Sequence, residues 1–185
     1  SRFVYIVKNL NVSSNKIIAV TFTNKAANEI KERVNTELQS SIDTPWIGTF
    51  HSIFAKFLRK HSTLVNLKSN FTILDIEDQK KLLKQVLDYC KIDKDINEGI
   101  YHNEIQNLKD NKILFNENKK IRKFSSIERL DDIYSYYQQR LIEINAVDFG
   151  DILLHSYTIL SNNLDLRKSY QNFVEHILID EFQDT

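Results

Sequence analysis

The sequence predicts an α/β chain in which a parallel-sheet domain is interrupted by an inserted all-helical subdomain. Apolar strand-like runs, each followed by an amphipathic helical pattern, occur early in the 185-residue chain. The middle of the chain shows only helical spacing of its apolar residues, and a last apolar run ends in two adjacent acids. We expect residues 1–65 and 146–185 to form the sheet domain and residues 66–145 to form the helical insertion.

Composition is typical of a soluble globular protein. Hydrophobic residues make up 42% of the chain, enough for a packed core. No apolar run approaches the ~20 residues of a membrane span, and the N-terminus has no secretory signal pattern, so a cytoplasmic location without a membrane partner is expected. The single cysteine, Cys90, lies in a helical apolar pattern and is interpreted as a core residue, which excludes a disulfide framework and a zinc cluster.

Charge is unevenly distributed, although the formal net charge is zero. Basic residues outnumber acidic ones in residues 1–65, the two balance over residues 66–145, and acids dominate residues 146–185. An early basic surface could follow a phosphate backbone while the late acids serve a metal ion. Solvated surface charge is the more frequent explanation of either excess taken singly.

The first strand-to-helix corner follows residues 16–21, whose apolar run predicts a buried strand after a helix over residues 1–10. Phe22 stands at the turn, and either Thr23 or Asn24 is the predicted N-cap of the next helix. This corner suits a single nucleic-acid strand, because aromatic rings stack on bases and helix N-termini bind phosphate. An ordinary buried Phe is the alternative.

A second corner of the same kind follows a short apolar run. Gly48 permits a close backbone approach, Thr49 is placed to cap the next helix, and Phe50 begins its core side. His51 and Ser52 fall on the polar side of the first helical turn, where imidazole, hydroxyl and backbone N–H groups can contact a nucleic-acid backbone. A solvated surface histidine is the alternative.

Residues 66–145 contain three helical patterns. Residues 71–74 predict a short strand or an extended lead-in, after which Asp75 caps a helix that continues to about Cys90. A second helix is expected over about residues 96–108. The third has the steps of three and four residues of a helix-packing seam. Its positions are Ile127, Leu130, Tyr134, Tyr137, Leu141 and Ile144.

Four basic residues lie between the second and third patterns. They are Lys119, Lys120, Arg122 and Lys123. We interpret them as a solvated loop, with DNA contact as the alternative.

Beyond the third pattern, Asp148 is the predicted N-cap of a helix that continues to about Leu160, and Asp151 lies near the positive end of the dipole of this helix. Both acids are assigned to capping and not to catalysis. A shorter helix is expected over residues 165–173.

The last ten residues combine an apolar run with an acidic end. The run predicts a buried parallel strand, and Asp180 and Glu181 follow it directly. Open α/β sheets place ligand chemistry at this edge. One acid can hold Mg²⁺ while its neighbour polarises an attacking water, as phosphoryl transfer requires. An exposed acidic turn after an apolar strand is the alternative.

Four segments together resemble the UvrD/Rep family of superfamily 1 DNA helicases. They are TFTNKAA at residues 21–27, GTFHS at 48–52, VDF at 147–149 and DEFQDT at 180–185. Four such motifs in the family's order and approximate spacing are highly specific. The resemblance is strong over residues 16–60 and 146–185 and rests on helical content and position between them.

The resemblance implies an incomplete RecA-like domain of the P-loop NTPase type with a helical insertion. By the same resemblance, this domain would belong to an ATP-dependent motor that moves 3′ to 5′ along single-stranded DNA and separates duplexes. ATP and Mg²⁺ would be its cofactors. Single-stranded and duplex DNA would be its partners, with repair or replication proteins as further candidates.

Residue roles are implied by matched position. Asp180 would be the Mg²⁺-associated acid, and Glu181 would activate the attacking water. Gln183, on the catalytic side, and Asp184, on the nucleotide-binding side, would couple the site to its surroundings. The DNA strand would contact Phe22, Thr23, Asn24, Thr49, His51 and Ser52.

The sequence also departs from the family. It contains no G-x-x-x-x-G-K-[ST] loop, which in the family immediately precedes the helix on which this chain opens, and no second RecA-like domain. We therefore interpret the chain as a fragment that neither binds ATP tightly nor unwinds DNA alone. The motor part of a helicase-nuclease subunit and a non-catalytic single-stranded DNA binding module are the alternatives.

Overall fold

The computed structural model describes residues 1–39, 46–93 and 97–180, a mixed α/β chain with mostly helices and small parallel sheets. The strands are β1 (Ile17–Thr21), β2 (Ile47–Thr49), β3 (Thr72–Ile73), β4 (Ala146–Val147) and β5 (His176–Ile179). The helices are α1 (Arg2–Asn9), α2 (Asn24–Leu38), α3 (Phe50–His61), α4 (Ile76–Tyr89), α5 (Glu98–Asp110), α6 (Asn118–Phe124), α7 (Leu130–Glu143), α8 (Phe149–Asn162) and α9 (Leu164–Phe173). The predicted α/β class with parallel strands is confirmed at this level.

The larger sheet has the order β2-β1-β5, and all of its strands are parallel. Thr21 pairs with Thr49, and Val20 pairs with Ile179. The strands therefore end at one level and share one carboxyl edge. Ile17 at the start of β1 is fully buried, which confirms the predicted buried strand.

β5 is parallel, as predicted, but the prediction that it is buried is wrong. Ile177 is 61% exposed and Ile179 is 37% exposed. Only one face of β5 is covered by the described residues, because Leu178 packs on the core of the first unit while Ile177 and Ile179 line an open apolar cavity of about 400 Å³. Burial of a strand depends on its neighbours, which its own four residues do not reveal.

The chain divides into two compact units. One comprises Ser1–Phe57 with Leu160–Thr185, and the other comprises Leu58–Ile159. The first unit holds the larger sheet with α1, α2 and α9. The second holds α4 to α7 and the pair β3-β4 around a separate core. The assignment of residues 66–145 as an inserted subdomain stays a prediction.

The second unit is not all-helical, and this part of the prediction is wrong. Thr72 pairs with Ala146 and Ile73 with Val147 in a parallel arrangement. Two-residue strands are too short to show a period-2 pattern, so alternation could not reveal the pairing. The short strand anticipated within residues 71–74 is confirmed as β3.

The predicted helices of the second unit are confirmed with small shifts at their ends. Asp75 caps α4, since its side chain accepts a hydrogen bond from the backbone N–H of Asp78 at 2.9 Å. Most of the predicted seam of α7 is buried, but Ile144 is 46% exposed because it lies at the C-cap, beyond the end of the helix. Cys90 lies in the core, as predicted, and burial raises the pKa of its thiol.

The basic cluster at residues 119–123 is helical, so its interpretation as a loop is wrong. It forms most of α6, a helix anchored by the single buried residue Ile121. A single buried residue has no helical spacing of apolar positions, so the sequence pattern does not predict this helix. Lys120 pairs with Glu117 at 2.5 Å and Arg122 with Asp131 at 2.6 Å.

No helix in the described ranges is both long and apolar enough to cross a membrane.

Candidate functional site

The predicted site residues that the structure describes lie at the carboxyl edge of the larger sheet or just beyond it. Because the strands end in register, the residues that follow them start from the same edge. These residues are Phe22 after β1, Phe50 after β2 and Asp180 after β5. All of them belong to the first unit. Glu181, Gln183 and Asp184 lie outside the described residues, so their assignments rest on the sequence.

The corner after β1 is fixed by threonine hydroxyls. Thr23 is the N-cap of α2, and its Oγ1 accepts a hydrogen bond from the backbone N–H of Ala26 at 3.1 Å. The Thr21 hydroxyl donates to the Thr23 carbonyl at 2.9 Å. Asn24 is the first residue of α2 and is exposed. Phe22 is 43% exposed, so the alternative of an ordinary buried Phe is wrong.

The corner after β2 is built in the same way. The Thr49 Oγ1 accepts a hydrogen bond from the backbone N–H of Ser52 at 3.2 Å, which confirms the predicted cap. The Ser52 hydroxyl donates back to the Thr49 carbonyl at 2.9 Å. His51 is exposed in the first turn of α3. Both corners therefore present an exposed side chain beside a capped helix start.

Gly48 makes the second corner possible. A Cβ built on Gly48 would overlap the Ser52 Oγ. The Ser52 hydroxyl could leave only by breaking its hydrogen bond to the Thr49 carbonyl. Glycine at this position thus lets β2 lie directly beneath the first turn of α3.

Gly48→Ala is expected to lower the free energy of unfolding by about 1 kcal/mol, roughly one such hydrogen bond with its strain. The same change in a Ser52→Ala background should cost far less, because the overlapping oxygen is then absent. Urea denaturation followed by the fluorescence of Trp46, the only tryptophan of the chain, measures both. An equal cost in the two backgrounds would refute this account of Gly48.

Phe50 is a site residue that the sequence analysis missed, since its helical spacing predicts only a core side chain. Its ring meets that of Phe22 edge-to-face, with centroids 6.1 Å apart and planes at 66°. The signal lies in the register: Thr21 pairs with Thr49, so the residues that follow them are neighbours. Reading it requires knowing that β1 and β2 pair, which one strand alone does not show.

Asp180 follows β5, and its backbone N–H donates to the Val20 carbonyl at 3.0 Å. Its side chain is exposed, and no described residue forms an ion pair with it. The described ranges hold no group of three or more side chains suited to a metal. The exposed Asp180 carboxylate is the kind of oxygen ligand that Mg²⁺ takes, since this ion binds through one or two carboxylates and keeps several waters.

A buried ionic cluster lies in the second unit. The Lys109 Nζ lies 2.6 Å from Asp148 Oδ2 and 2.7 Å from Asp151 Oδ1, and all three side chains are fully buried. Asp148 also accepts hydrogen bonds from Gln106 and Tyr137. Burial alone would lower the pKa of Lys109, but the two carboxylates outweigh it and raise that pKa.

The two acids of this cluster cap α8, which confirms their predicted role. The backbone N–H of Asp151 donates to Asp148 Oδ1 at 2.9 Å, and the backbone N–H of Asp148 donates to Asp151 Oδ2 at 3.2 Å. Burial raises the pKa of Asp148, but the Lys109 charge outweighs it and the net shift is downward. Burial likewise lowers the pKa of the nearby His155 and favours its neutral form.

The chain is similar in sequence to known helicases, the class of protein that the four motifs indicate. All residues, 1–185, match the sequence model of the UvrD/REP helicase N-terminal domain. The chain is 33% identical over 201 residues to the probable DNA helicase II homolog of Mycoplasma capricolum subsp. capricolum. It is 34% identical over 186 residues to the ATP-dependent DNA helicase PcrA of Staphylococcus aureus and to that of Staphylococcus epidermidis.

These alignments include 100% of the chain but only 26% of the Mycoplasma protein and 25% of each staphylococcal protein. The chain thus spans about a quarter of the length of the curated relatives it matches. Four ordered motifs, a parallel sheet at whose edge Phe22, Thr49 and Asp180 of three of these motifs lie, and a match over every residue support one assignment. The chain belongs to the UvrD/REP helicase family, in the part that forms its N-terminal domain.

Proposed function

We propose that the chain forms part of the first motor domain of an ATP-dependent DNA helicase. This domain is RecA-like, and the whole protein moves 3′ to 5′ along single-stranded DNA, coupling ATP hydrolysis to duplex unwinding. The observation that carries the proposal is the shared sheet edge, from which both exposed corners and Asp180 emerge. The curated names of the staphylococcal relatives, ATP-dependent DNA helicase, support it.

The DNA side of the proposed site follows from the chemistry of the two corners. The exposed ring of Phe22 offers a surface on which a base stacks. The hydroxyls of Thr23 and Thr49 accept from backbone N–H groups, and their protons have no acceptor among the described residues. Each can therefore donate to a phosphate oxygen while it still caps its helix.

The remaining polar groups of the corners contribute unequally. His51 is exposed beside the start of α3, where a protonated imidazole or its neutral N–H can donate to a phosphate oxygen. Asn24 offers an amide at the start of α2. The Ser52 hydroxyl already donates to the Thr49 carbonyl, so a phosphate contact through this proton requires Ser52 to change rotamer. We therefore rank Ser52 below Thr49 as a DNA contact.

The nucleotide side of the proposed site begins at Asp180. Its exposed carboxylate would hold Mg²⁺, whose chemical contribution is to neutralise charge on the transferring phosphoryl group. We assign Glu181 as the base that removes a proton from the attacking water, by its place beside Asp180 in the sequence. Gln183 and Asp184 stay assigned to coupling the site to its surroundings. The 185-residue chain has no Gly-rich phosphate loop, so we expect it to bind ATP weakly by itself.

Fluorescence anisotropy of the 185-residue chain with labelled single-stranded DNA tests the DNA side. Phe22→Ala is expected to raise the Kd by about 5- to 100-fold, the usual effect of losing one base–aromatic stack. His51→Ala is expected to raise the Kd and to reduce its dependence on salt, because a phosphate contact is lost.

Tyr89→Ala is a matched control, since Tyr89 is 71% exposed and lies in the other unit. It should bind like the wild type. If both corner variants also bind like the wild type, binding comes from nonspecific charge and the proposed DNA track is wrong.

A further inference from the structure

We propose that Phe50 is a positioning residue for Phe22. It holds the exposed ring in the orientation in which a base stacks, and so makes the two corners one binding surface. This inference rests on the proposed function, because it assumes that Phe22 meets a nucleic-acid base. It adds a residue whose own contact with DNA is not required.

The register of the sheet brings the two rings together. β1 and β2 run parallel and end at the paired residues Thr21 and Thr49, so Phe22 and Phe50 leave the sheet side by side. Their centroids are 6.1 Å apart at an interplanar angle of 66°. An edge-to-face contact is favourable and fixes relative orientation without covering both faces of either ring. The 43% exposure of Phe22 is consistent with a face left open for stacking.

Phe50 is itself held more firmly than Phe22. Its backbone begins α3 and is fixed by the cap that Thr49 makes with Ser52. Its side chain is half-buried and lines the apolar cavity beside Trp46 and Ile53. One part of the ring is therefore anchored in the first unit while another part contacts Phe22. If the Phe22 ring moved freely between rotamers, stacking of a base would cost conformational entropy. Contact with Phe50 orders the ring before the base binds, so that the entropy cost of binding is smaller.

A double-mutant cycle in the 185-residue chain tests this role. The variants are Phe22→Leu, Phe50→Leu and both together, and the ligand is single-stranded DNA that contains 2-aminopurine. Phe50→Leu is expected to raise the Kd by about 3- to 10-fold and to reduce the 2-aminopurine fluorescence change that reports stacking. In the Phe22→Leu background the same replacement should change neither quantity.

Two further variants separate positioning from general packing. Phe54→Leu removes a ring that lines the same cavity one turn along α3, and it should leave the Kd unchanged. Phe50→Tyr keeps the aromatic edge and should restore both the affinity and the fluorescence change. Circular dichroism establishes that each variant is folded.

The outcomes distinguish the inference from the proposed function. If Phe22→Leu leaves the Kd unchanged, the proposed DNA track fails at Phe22, and the role of Phe50 fails with it. If Phe22→Leu weakens binding but Phe50→Leu adds its full effect in the double variant, the positioning role alone is overturned. An effect of Phe54→Leu equal to that of Phe50→Leu also overturns it.

Discussion

Lys109→Met is expected to lower the free energy of unfolding by about 3–5 kcal/mol, because it leaves two buried carboxylates without a counter-charge. The ammonium lies 2.6 Å from Asp148 and 2.7 Å from Asp151, and no side chain of the three reaches solvent. Hydrogen bonds from Gln106 and Tyr137 to Asp148 remain, but they do not replace the lost charge. Methionine fills a similar volume, so the loss reports electrostatics more than packing.

The pH dependence of this loss has a definite sign. In the wild type the pKa of Asp148 is lowered, so its stabilisation is present above the unfolded-state pKa and is lost as the pH falls through the folded-state pKa. Without Lys109, burial raises the pKa of the Asp148 carboxyl. Protonation of this carboxyl in the folded variant then removes the unpaired buried charge. The difference in the free energy of unfolding between the variant and the wild type should therefore shrink from pH 8 towards pH 5.

Urea denaturation followed by circular dichroism at both pH values measures this effect. Burial lowers the pKa of His155 in the wild type, and the Lys109 charge lowers it further. Removing Lys109 therefore makes His155 easier to protonate beside Asp151, which acts in the same direction and also reduces the loss at pH 5. Lys119→Met, on an exposed lysine of α6, is the matched control and should be nearly neutral. A loss below 1 kcal/mol for Lys109→Met, flat with pH, would contradict the assigned role of the cluster.

Glu181→Gln is expected to lower ATP turnover at least ~100-fold. The measurement uses a protein that contains this chain and has the full length of its helicase relatives. The amide matches the carboxylate in shape but cannot take a proton from the attacking water. The Kd for ATP should change only slightly, because the proposed role of Glu181 is exercised in the transition state. Steady-state hydrolysis and equilibrium nucleotide binding separate the two quantities.

Glu175→Gln is the matched control for this experiment. Glu175 lies just before β5 and pairs on the surface with Lys16 at 2.6 Å. Exposed ion pairs of this kind contribute little to the stability of a protein. The ATP turnover of Glu175→Gln should therefore stay close to that of the wild type. Persistent turnover in Glu181→Gln would show that another residue activates the water.

The features that sequence analysis predicts correctly are those specified by a few neighbouring residues. Thr23, Thr49, Asp75 and Asp148 each cap a helix that begins at the next residue, so the signal and the structure lie together in the sequence. The two corners of the candidate site follow from such local signals, since each comprises a strand end, a cap and the first turn of a helix.

The features that it misses depend on partners far away in the chain. Lys109 meets Asp148 across 39 residues, and no local pattern distinguishes it from a surface lysine. The exposure of Ile177 depends on which elements cover β5. The contact between Phe22 and Phe50 depends on strand pairing. Each is a tertiary property, which propensity and periodicity do not encode.

The hydrogen bond from the Asp180 N–H to the Val20 carbonyl has a mechanical consequence for the proposed motor. Val20 lies on β1 and precedes Phe22, the first residue after that strand, by two residues. In the proposed motor, a shift of the backbone at Asp180 would therefore reach Phe22 through one inter-strand hydrogen bond and the end of β1. The two proposed sites would thus be coupled through the backbones of two adjacent strands that end at the same sheet edge.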